Sequence, residues 1–371
     1  MKKRIIPISL IAMCLLTSCS QTPDNIQGNN HNVDLNSENN KVSVEHILDD
    51  FDKAFETKYT KFSLPEKSQV IINQPEEVCD LELKYVNADK SMDWLKERVY
   101  KLADIFNVQN YGDLKNVGNV GYVLENNKER VRADVFSEPY YCSNDAAFID
   151  EMNFVKIKHL DRIKYDNIDE KYKMLIDQSV NCANKINDIF GGSFTDNPMD
   201  LYIRDHNGEK YYELSLQPTY KGVGLQCITP TYSNGDIFEG NNALMTMGLD
   251  IRFLYDSDFN LDYYVSCDNY TPIKSDPIDK IISFKGACDI LEEELASNVS
   301  MEFDDVKLWY EPRGTILDAT TEDGFDGSKT TKCTPKWFFI SDNDEDSNLH
   351  HAINYVTVDC VTGEIEVFFP G

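Results

Sequence analysis

The feature that most constrains this chain is a hydrophobic period that switches repeatedly between about 3.6 and 2 residues. Cys79, Leu81, Leu83 and Tyr85 alternate with Asp80, Glu82 and Lys84, which predicts a strand with one buried face. Leu95, Val99, Leu102 and Phe106 then share one face of a helix over 91–107. A strand, a polar turn at 125–129 and a strand over 131–136 follow. A second helix over 170–190 points Tyr172, Ile176, Ala183, Ile186 and Phe190 inward and stops at Gly191-Gly192, a helix-ending signal. A third, near 283–296, carries Phe284, Ala287, Leu291 and Leu295 on one side. Strand patterns occupy 249–255, 261–267, 306–310, 336–340, 355–360 and 365–369, and the last two flank the hairpin turn Val361-Thr362-Gly363-Glu364. Helix followed by hairpin therefore occurs three times. The pattern predicts an α+β fold of two or three helix-plus-antiparallel-sheet units, each sheet burying one face against its helix.

Two of these units carry signs of duplication. Asp104-Ile105-Phe106 and Asp188-Ile189-Phe190 close the first two helices 84 positions apart, and Glu125-Asn126-Asn127-Lys128-Glu129 aligns with Asp205-His206-Asn207-Gly208-Glu209 at an offset of 80. Ahead of the units, Val44, Ile47, Leu48, Phe51 and Phe55 fall at helical spacing and mark the start of the folded body. Residues 217–248, rich in Thr, Gly, Asn and Tyr, read as the main irregular stretch. The expected division is a signal peptide at 1–18, a lipidated cysteine and flexible linker at 19–42, an N-terminal α+β domain at 43–168 and a C-terminal α+β domain at 169–371.

The front of the chain is an address. Lys2, Lys3 and Arg4 precede an apolar run over 5–16, and Leu16-Thr17-Ser18-Cys19 resembles a bacterial lipobox. That resemblance makes Cys19 the lipidated first residue of the mature chain and implies a protein anchored by lipid to the extracytoplasmic face of the cell membrane. The apolar run is far short of the ~20 residues that a spanning helix needs. A plain secretory signal cut elsewhere is the rival reading. Residues 20–41, crowded with Asn, Gln, Ser and Asp, hold little to bury and predict a tether with a root-mean-square reach of roughly 25 Å.

Charge narrows the partners. The chain has 36 Lys+Arg against 64 Asp+Glu, a net charge of −28, and loss of residues 1–18 with their three basic groups leaves −31. Such a surface repels nucleic acid and anionic headgroups alike, so the membrane contact rests on the lipid. Beyond Cys14 and Cys19 stand Cys79, Cys142, Cys182, Cys227, Cys267, Cys288, Cys333 and Cys360, none in a zinc-type spacing. They permit disulfides in an exported protein, and they read equally as small buried apolar residues or free thiols.

The C-terminal segment carries a second resemblance. A strand with Leu308, Tyr310 and Pro312, then Pro335-x-Trp337-x-Phe339, then Val358-Asp359-Cys360-Val361-Thr362-Gly363-Glu364, resembles the last unit of PepSY-like modules, with Cys360 where those modules usually have alanine. The unit spans about 283–371. The layout of an export anchor followed by repeated helix-hairpin units is similar to that of extracytoplasmic regulators of cell-wall sensor kinases. The resemblance implies a fold and a binding role toward an envelope protein, and it carries no catalytic residue. Gly363 reads as a turn residue supplying positive φ.

Other chemistry finds weak footing. Asp342, Asp344, Asp346 and Asn348 alternate like the opening of a calcium loop, but Ser347 and Ile353 stand where glycine and the closing glutamate belong. The acidic loop Asp318, Glu322, Asp323, Asp326 reads as solvated; His350-His351 reads as ordinary, since adjacent strand residues face opposite ways, and Asp205-His206 is a polar pair expected in a turn. Gly222-x-Gly224 lacks a third glycine and a helix start, so it does not make a phosphate cradle. Tyr140-Tyr141, Tyr211-Tyr212 and Tyr263-Tyr264 offer stacking surfaces, although half-buried strands favour tyrosine anyway. No catalytic residue, metal site or cofactor is assigned. The reading is a lipid-anchored regulatory or binding protein, with a lipoprotein capturing a peptide, glycan fragment or cation as the alternative and an envelope hydrolase third.

Overall fold

The computed structural model describes residues 40–368 apart from 71, 86–89, 118–120, 135–138, 144–157, 165–167, 192–194, 207, 226–227, 233–242, 248–250, 267–269, 313–319, 322–323, 326–329 and 343–352. Cys19, the linker and both acidic loops' central residues lie outside that set, as do His350-His351, Cys227 and Cys267.

The architecture is α+β. After a short strand Lys41–Ser43 and a 3-10 turn Val44–His46 come helix α1 (Phe51–Glu56) and strand β1 (Cys79–Tyr85). Unit one is helix α2 (Met92–Ile105) and strands β2 (Lys115–Val117), β3 (Gly121–Glu125), β4 (Glu129–Asp134) and β5 (Tyr140–Ser143), paired as an antiparallel meander. Strand β6 (Lys158–Lys164) precedes unit two, which comprises helix α3 (Lys173–Phe190) and the long hairpin β7 (Thr195–His206) and β8 (Glu209–Tyr220). Strand β9 (Val223–Leu225) folds back on the end of β8, and β10 (Ile251–Tyr255) and β11 (Leu261–Val265) complete the second meander. Strand β12 (Tyr270–Pro277) leads to unit three: helix α4 (Phe284–Glu294), β13 (Asp305–Tyr310), β14 (Thr330–Cys333), β15 (Pro335–Asp342), β16 (Ile353–Asp359) and β17 (Ile365–Phe368). Here β13, β15, β16 and β17 form the meander, while β14 leaves to pair with β1, which also pairs with β12.

Side chains set the helix ends. Ser91 Oγ accepts from Trp94 N at 3.1 Å, starting α2. Gly191, at φ 74°, closes α3 with its N–H on the Asn187 carbonyl. Ser283 Oγ accepts from Gly286 N at 3.1 Å and donates to Asp50 Oδ2 at 2.7 Å, so the segment before α1 caps α4. Gly286 is required there, because a Cβ would lie 2.9 Å from Asn40 Cβ.

The three meanders merge. Strand β5 pairs antiparallel with β11, and β9 pairs parallel with β13 through Gly224 opposite Trp309 and Leu225 opposite Tyr310, giving one fourteen-stranded sheet. Strand alternation then sorts side chains onto two faces. The face under the helices carries two apolar cores. One joins Leu95, Val99 and Leu102 of α2 with Leu175 and Ile186 of α3 over Leu124, Tyr141, Leu214, Phe253 and Tyr264. The other joins Phe284, Ile290 and Leu291 of α4 with Val306, Tyr310, Trp337, Phe339, Val356 and Val358, and also takes Ile47, Ala54, Val78, Leu81 and Leu83. Each fully buried side chain of this kind contributes about 1.5–3 kcal/mol over leaving it in water.

Adjoining units share core, as expected: α2 packs with α3, and buried residues between 47 and 83 pack with the last unit. One expectation needs correction. The turns aligned at an offset of 80 are not equivalent. The turn at 125–129 links the second and third strands of its meander, whereas that at 205–209 links β7 and β8, the first two strands after α3. The matching helix ends at Ile105 and Phe190 do hold. Residues 217–248, expected to be irregular, include the end of β8, β9 and an antiparallel pair Ile228–Tyr232 with Ala243–Met247.

Candidate functional site

The face of the sheet away from the helices holds the polar chemistry. On β8, Tyr212, Leu214 and Leu216 point to the core, so Tyr211, Glu213, Ser215, Gln217 and Thr219 take the far face, all of them buried. Register carries that face across the sheet. Thr219 lies opposite Gly224, Gly224 beside Trp309, Trp309 opposite Lys336, and Phe338 opposite Thr357.

Two charged clusters sit at either end. In the first, Glu213, 2% exposed, is paired by Arg204 and lies 3.8 Å from Arg252 Nε. Arg204 stands over the Tyr202 ring at 5.2 Å. Register places Arg130 and Arg132 on the same face but three strands beyond Arg252, and Arg130 pairs there with Glu125 at 3.2 Å. In the second, Lys336 Nζ donates to Glu311 Oε2 and Glu366 Oε2, each at 2.7 Å, while Tyr355 OH donates to Glu311 Oε1 at 3.3 Å. Lys336 and Glu311 are each 8% exposed, and they line a cavity of about 190 Å³ with Thr334, Asp359, Glu364 and Glu366. Breaking such a buried pair costs about 3–5 kcal/mol, since the remaining charge is left without its partner. Between the clusters Trp309 Nε1 donates to Gln217 Oε1 at 2.9 Å.

The tyrosine pairs divide as strand geometry demands. Tyr141, Tyr212 and Tyr264 belong to the core under the helices, and Tyr140, Tyr211 and Tyr263 to the far face, where Tyr140 and Tyr263 meet edge to face at 5.4 Å. Burial, then Asp262 and Glu209, push the Tyr211 hydroxyl above its usual range. Tyr211 and Tyr263 are buried in that far-face cluster, as half-buried strand tyrosines are.

Other predicted residues find structural roles. Gly222 has φ 88°, and a Cβ on Gly224 would lie 2.3 Å from Trp309 Cδ1, so these glycines serve a turn and a close approach. Gly363 has φ 78°, and its N–H bonds the Asp359 carbonyl. Trp337 Nε1 donates to the Ile282 carbonyl at 2.9 Å, and the Cys360 backbone bonds both Pro335 and Ile282. Cys79, Cys142, Cys182, Cys288, Cys333 and Cys360 are free thiols, and burial raises Cys360 far above the ordinary thiol range and Cys182 to about 12. Among the described residues no three His, Cys, Asp or Glu side chains converge to hold a metal, and no helix is long and apolar enough to cross a membrane. His206 ends β7.

Sequence reasoning missed the far-face clusters. Glu213, Gln217 and Lys336 alternate with apolar residues, a pattern that reads as polar side chains facing water. The one available signal is the run Tyr-Tyr-Glu-Leu-Ser-Leu-Gln, where the middle of a strand long enough to be central carries a carboxylate among apolar residues.

No family model and no curated protein matches the chain. Among solved structures, the crystal structure of an uncharacterized protein from Eubacterium rectale ATCC 33656 is similar, with a TM-score of 0.51 and 14% identity over 83% of this chain and 91% of that one. At that identity the likeness speaks to the fold alone.

Proposed function

We propose that this chain is a lipid-anchored extracytoplasmic regulator, held to the cell membrane through Cys19, that acts by binding another cell-envelope protein. The observation that supports this most is the succession of three helix-plus-meander units in a single sheet. The last of them is built around Trp337, Phe339 and the 358–364 turn, the residues that carry the PepSY-like resemblance. A repeated, continuous sheet is a scaffold for recognition, and the buried ion pairs on its far face hold side chains in place. The tether limits the search to partners within roughly 25 Å of its root, which raises their effective concentration without any added contact.

Crosslinking in intact cells, wild type beside Cys19→Ala, tests the proposal. One dominant envelope protein captured only with the anchored form is the expected result. Equal activity and equal capture by the untethered form would overturn it.

A further inference from the structure

Among the described residues Lys336 is the one buried lysine, and it has two carboxyl partners. Its Nζ lies 2.7 Å from Glu311 Oε2 and 2.7 Å from Glu366 Oε2. The two partners differ. Glu311, just past the end of β13, is 8% exposed, and the Tyr355 hydroxyl donates to its other oxygen at 3.3 Å. Glu366 on β17 is 34% exposed and lines, with Lys336 and Glu311, the cavity of about 190 Å³. Asp359, the register partner of Lys336, is engaged elsewhere: its Oδ1 accepts from Val361 N at 2.9 Å and Thr362 N at 2.8 Å, and its Oδ2 accepts from the Thr334 hydroxyl. An aromatic row of Trp309, Phe338 and Tyr355, with ring centres 5.3 and 5.5 Å apart, flanks the amine. Trp309 lies opposite Lys336 in register, and Phe338 stands two residues along the same face.

From this arrangement we propose that Lys336 and Glu311 join as an intramolecular amide, an isopeptide cross-link between the end of β13 and β15 that forms without enzyme or cofactor, with Glu366 carrying the proton. Contact of Nζ with a carboxyl oxygen sets it near the roughly 3–3.5 Å from the carboxyl carbon at which reacting atoms are poised, and holding both in one sheet replaces a bimolecular encounter. Nζ passes one proton to Glu311 Oε2, leaving a neutral amine and a neutral acid, the forms that an apolar surround favours. The nitrogen lone pair then forms the Nζ–Cδ bond while the carbonyl electron pair moves onto Oε1, where the Tyr355 hydroxyl donates. Glu366 takes a second proton from Nζ and delivers it to Oε2. The Cδ–Oε2 bond breaks, its electron pair leaves with the oxygen as water, and the carbonyl re-forms. The third proton stays on the amide nitrogen, and Glu366 ends as the carboxylate it was at the start. No oxidant or co-reactant enters, and the adjoining cavity takes up the released water. A neutral amide escapes the desolvation penalty that a buried ion pair carries, which drives the condensation. This inference is independent of the envelope-protein proposal and stands or falls without it.

The mass of the full chain's own peptides supplies the readout. Purified from cells, reduced, denatured and digested with trypsin, an unlinked chain releases the 308–313 peptide and is cut after Lys336. An acylated Lys336 resists trypsin, so the linked chain yields a branched product of 308–313 and 333–371, lighter than their sum by one water. The expected result is that branched product as the main form, with its branch placed at Lys336 and Glu311 by tandem mass spectrometry, and its complete loss in Lys336→Arg. Glu366→Gln keeps a partner for Nζ but cannot ferry a proton, and is expected to lower the branched fraction about tenfold or more. Wild type that releases only free 308–313 and is cut after Lys336 overturns the inference, with no variant needed. A loss of water mapped to other residues, or an undiminished branched fraction in Glu366→Gln, overturns it as well.

Discussion

The two seams that unite the sheet are built from different materials. Units one and two meet along β5 and β11, and above that pairing Phe106 of unit one stacks on Tyr141 at 4.6 Å and touches Tyr264 of unit two at 5.3 Å. Their helices close the same core. Units two and three meet through the short β9–β13 pairing, the Trp309–Gln217 bond, the Gly224 contact and the buried Val223 and Leu225 of β9, with Lys221 Nζ 2.7 Å from Glu77 Oε1 at the flank. The first seam buries aromatic surface that neither unit can cover alone. The second lends two aliphatic side chains, Val223 and Leu225, to a core built mainly from unit three and the residues ahead of unit one. Continuity of hydrogen bonding in a sheet is therefore no guide to which parts unfold together.

The comparison breaks most plainly at the aromatic seam. Tyr264→Ala removes a ring shared by both units and is expected to cost about 3–5 kcal/mol. In urea, units one and two should still lose structure in a single transition, seen by circular dichroism. Separate transitions for them would deny that they share one core. At the other seam, Gly224→Ala drives a Cβ into the Trp309 indole and is expected to cost about 1–3 kcal/mol. Its signature is a widened gap between the melting of unit three and that of the rest, measured by hydrogen exchange. Trp309→Phe trims the indole to a single ring and leaves the Gln217 oxygen without its donor, at about 1–2 kcal/mol, and should widen the same gap less.

The smallest effect is set by pH. Glu292 on α4 accepts from Thr60 N at 3.0 Å and Lys61 N at 3.2 Å, and from the Thr60 hydroxyl. Burial pushes its carboxyl up, but these hydrogen bonds outweigh burial and the net displacement is downward. A carboxyl lowered in the folded state stabilises above its unfolded pKa and loses that contribution as pH falls through the folded value. Protection of the Thr60 and Lys61 amides, corrected for intrinsic exchange, should thus fall below about pH 4. Glu292→Gln should flatten that dependence.

Much of the fold was legible because burial imposes a period. The helices over Met92–Ile105, Lys173–Phe190 and Phe284–Glu294, and strands such as Cys79–Tyr85, stand where apolar spacing placed them. Gly363 was legible because only a positive φ closes that hairpin. Pairing was not, since alternation tells a strand's faces and says nothing about its neighbours. Nothing in Cys79–Tyr85 announces partners near residues 270 and 330. Nor does a lone Glu213 or Lys336 reveal whether water or a counter-ion awaits it.

The capping of α4 by Asp50 and the pairing of Lys41–Ser43 with Lys280–Ile282 also have a consequence in time. A chain emerging from its N-terminus delivers these residues first, yet their partners follow some 240 positions later. By Val265 every element of the α2–α3 core has been delivered, and it can close while the opening segment still waits. The oldest part of the chain is thus among the last to settle, and any factor that slows emergence near residue 280 prolongs the interval in which Ile47, Phe51 and Phe55 stand uncovered.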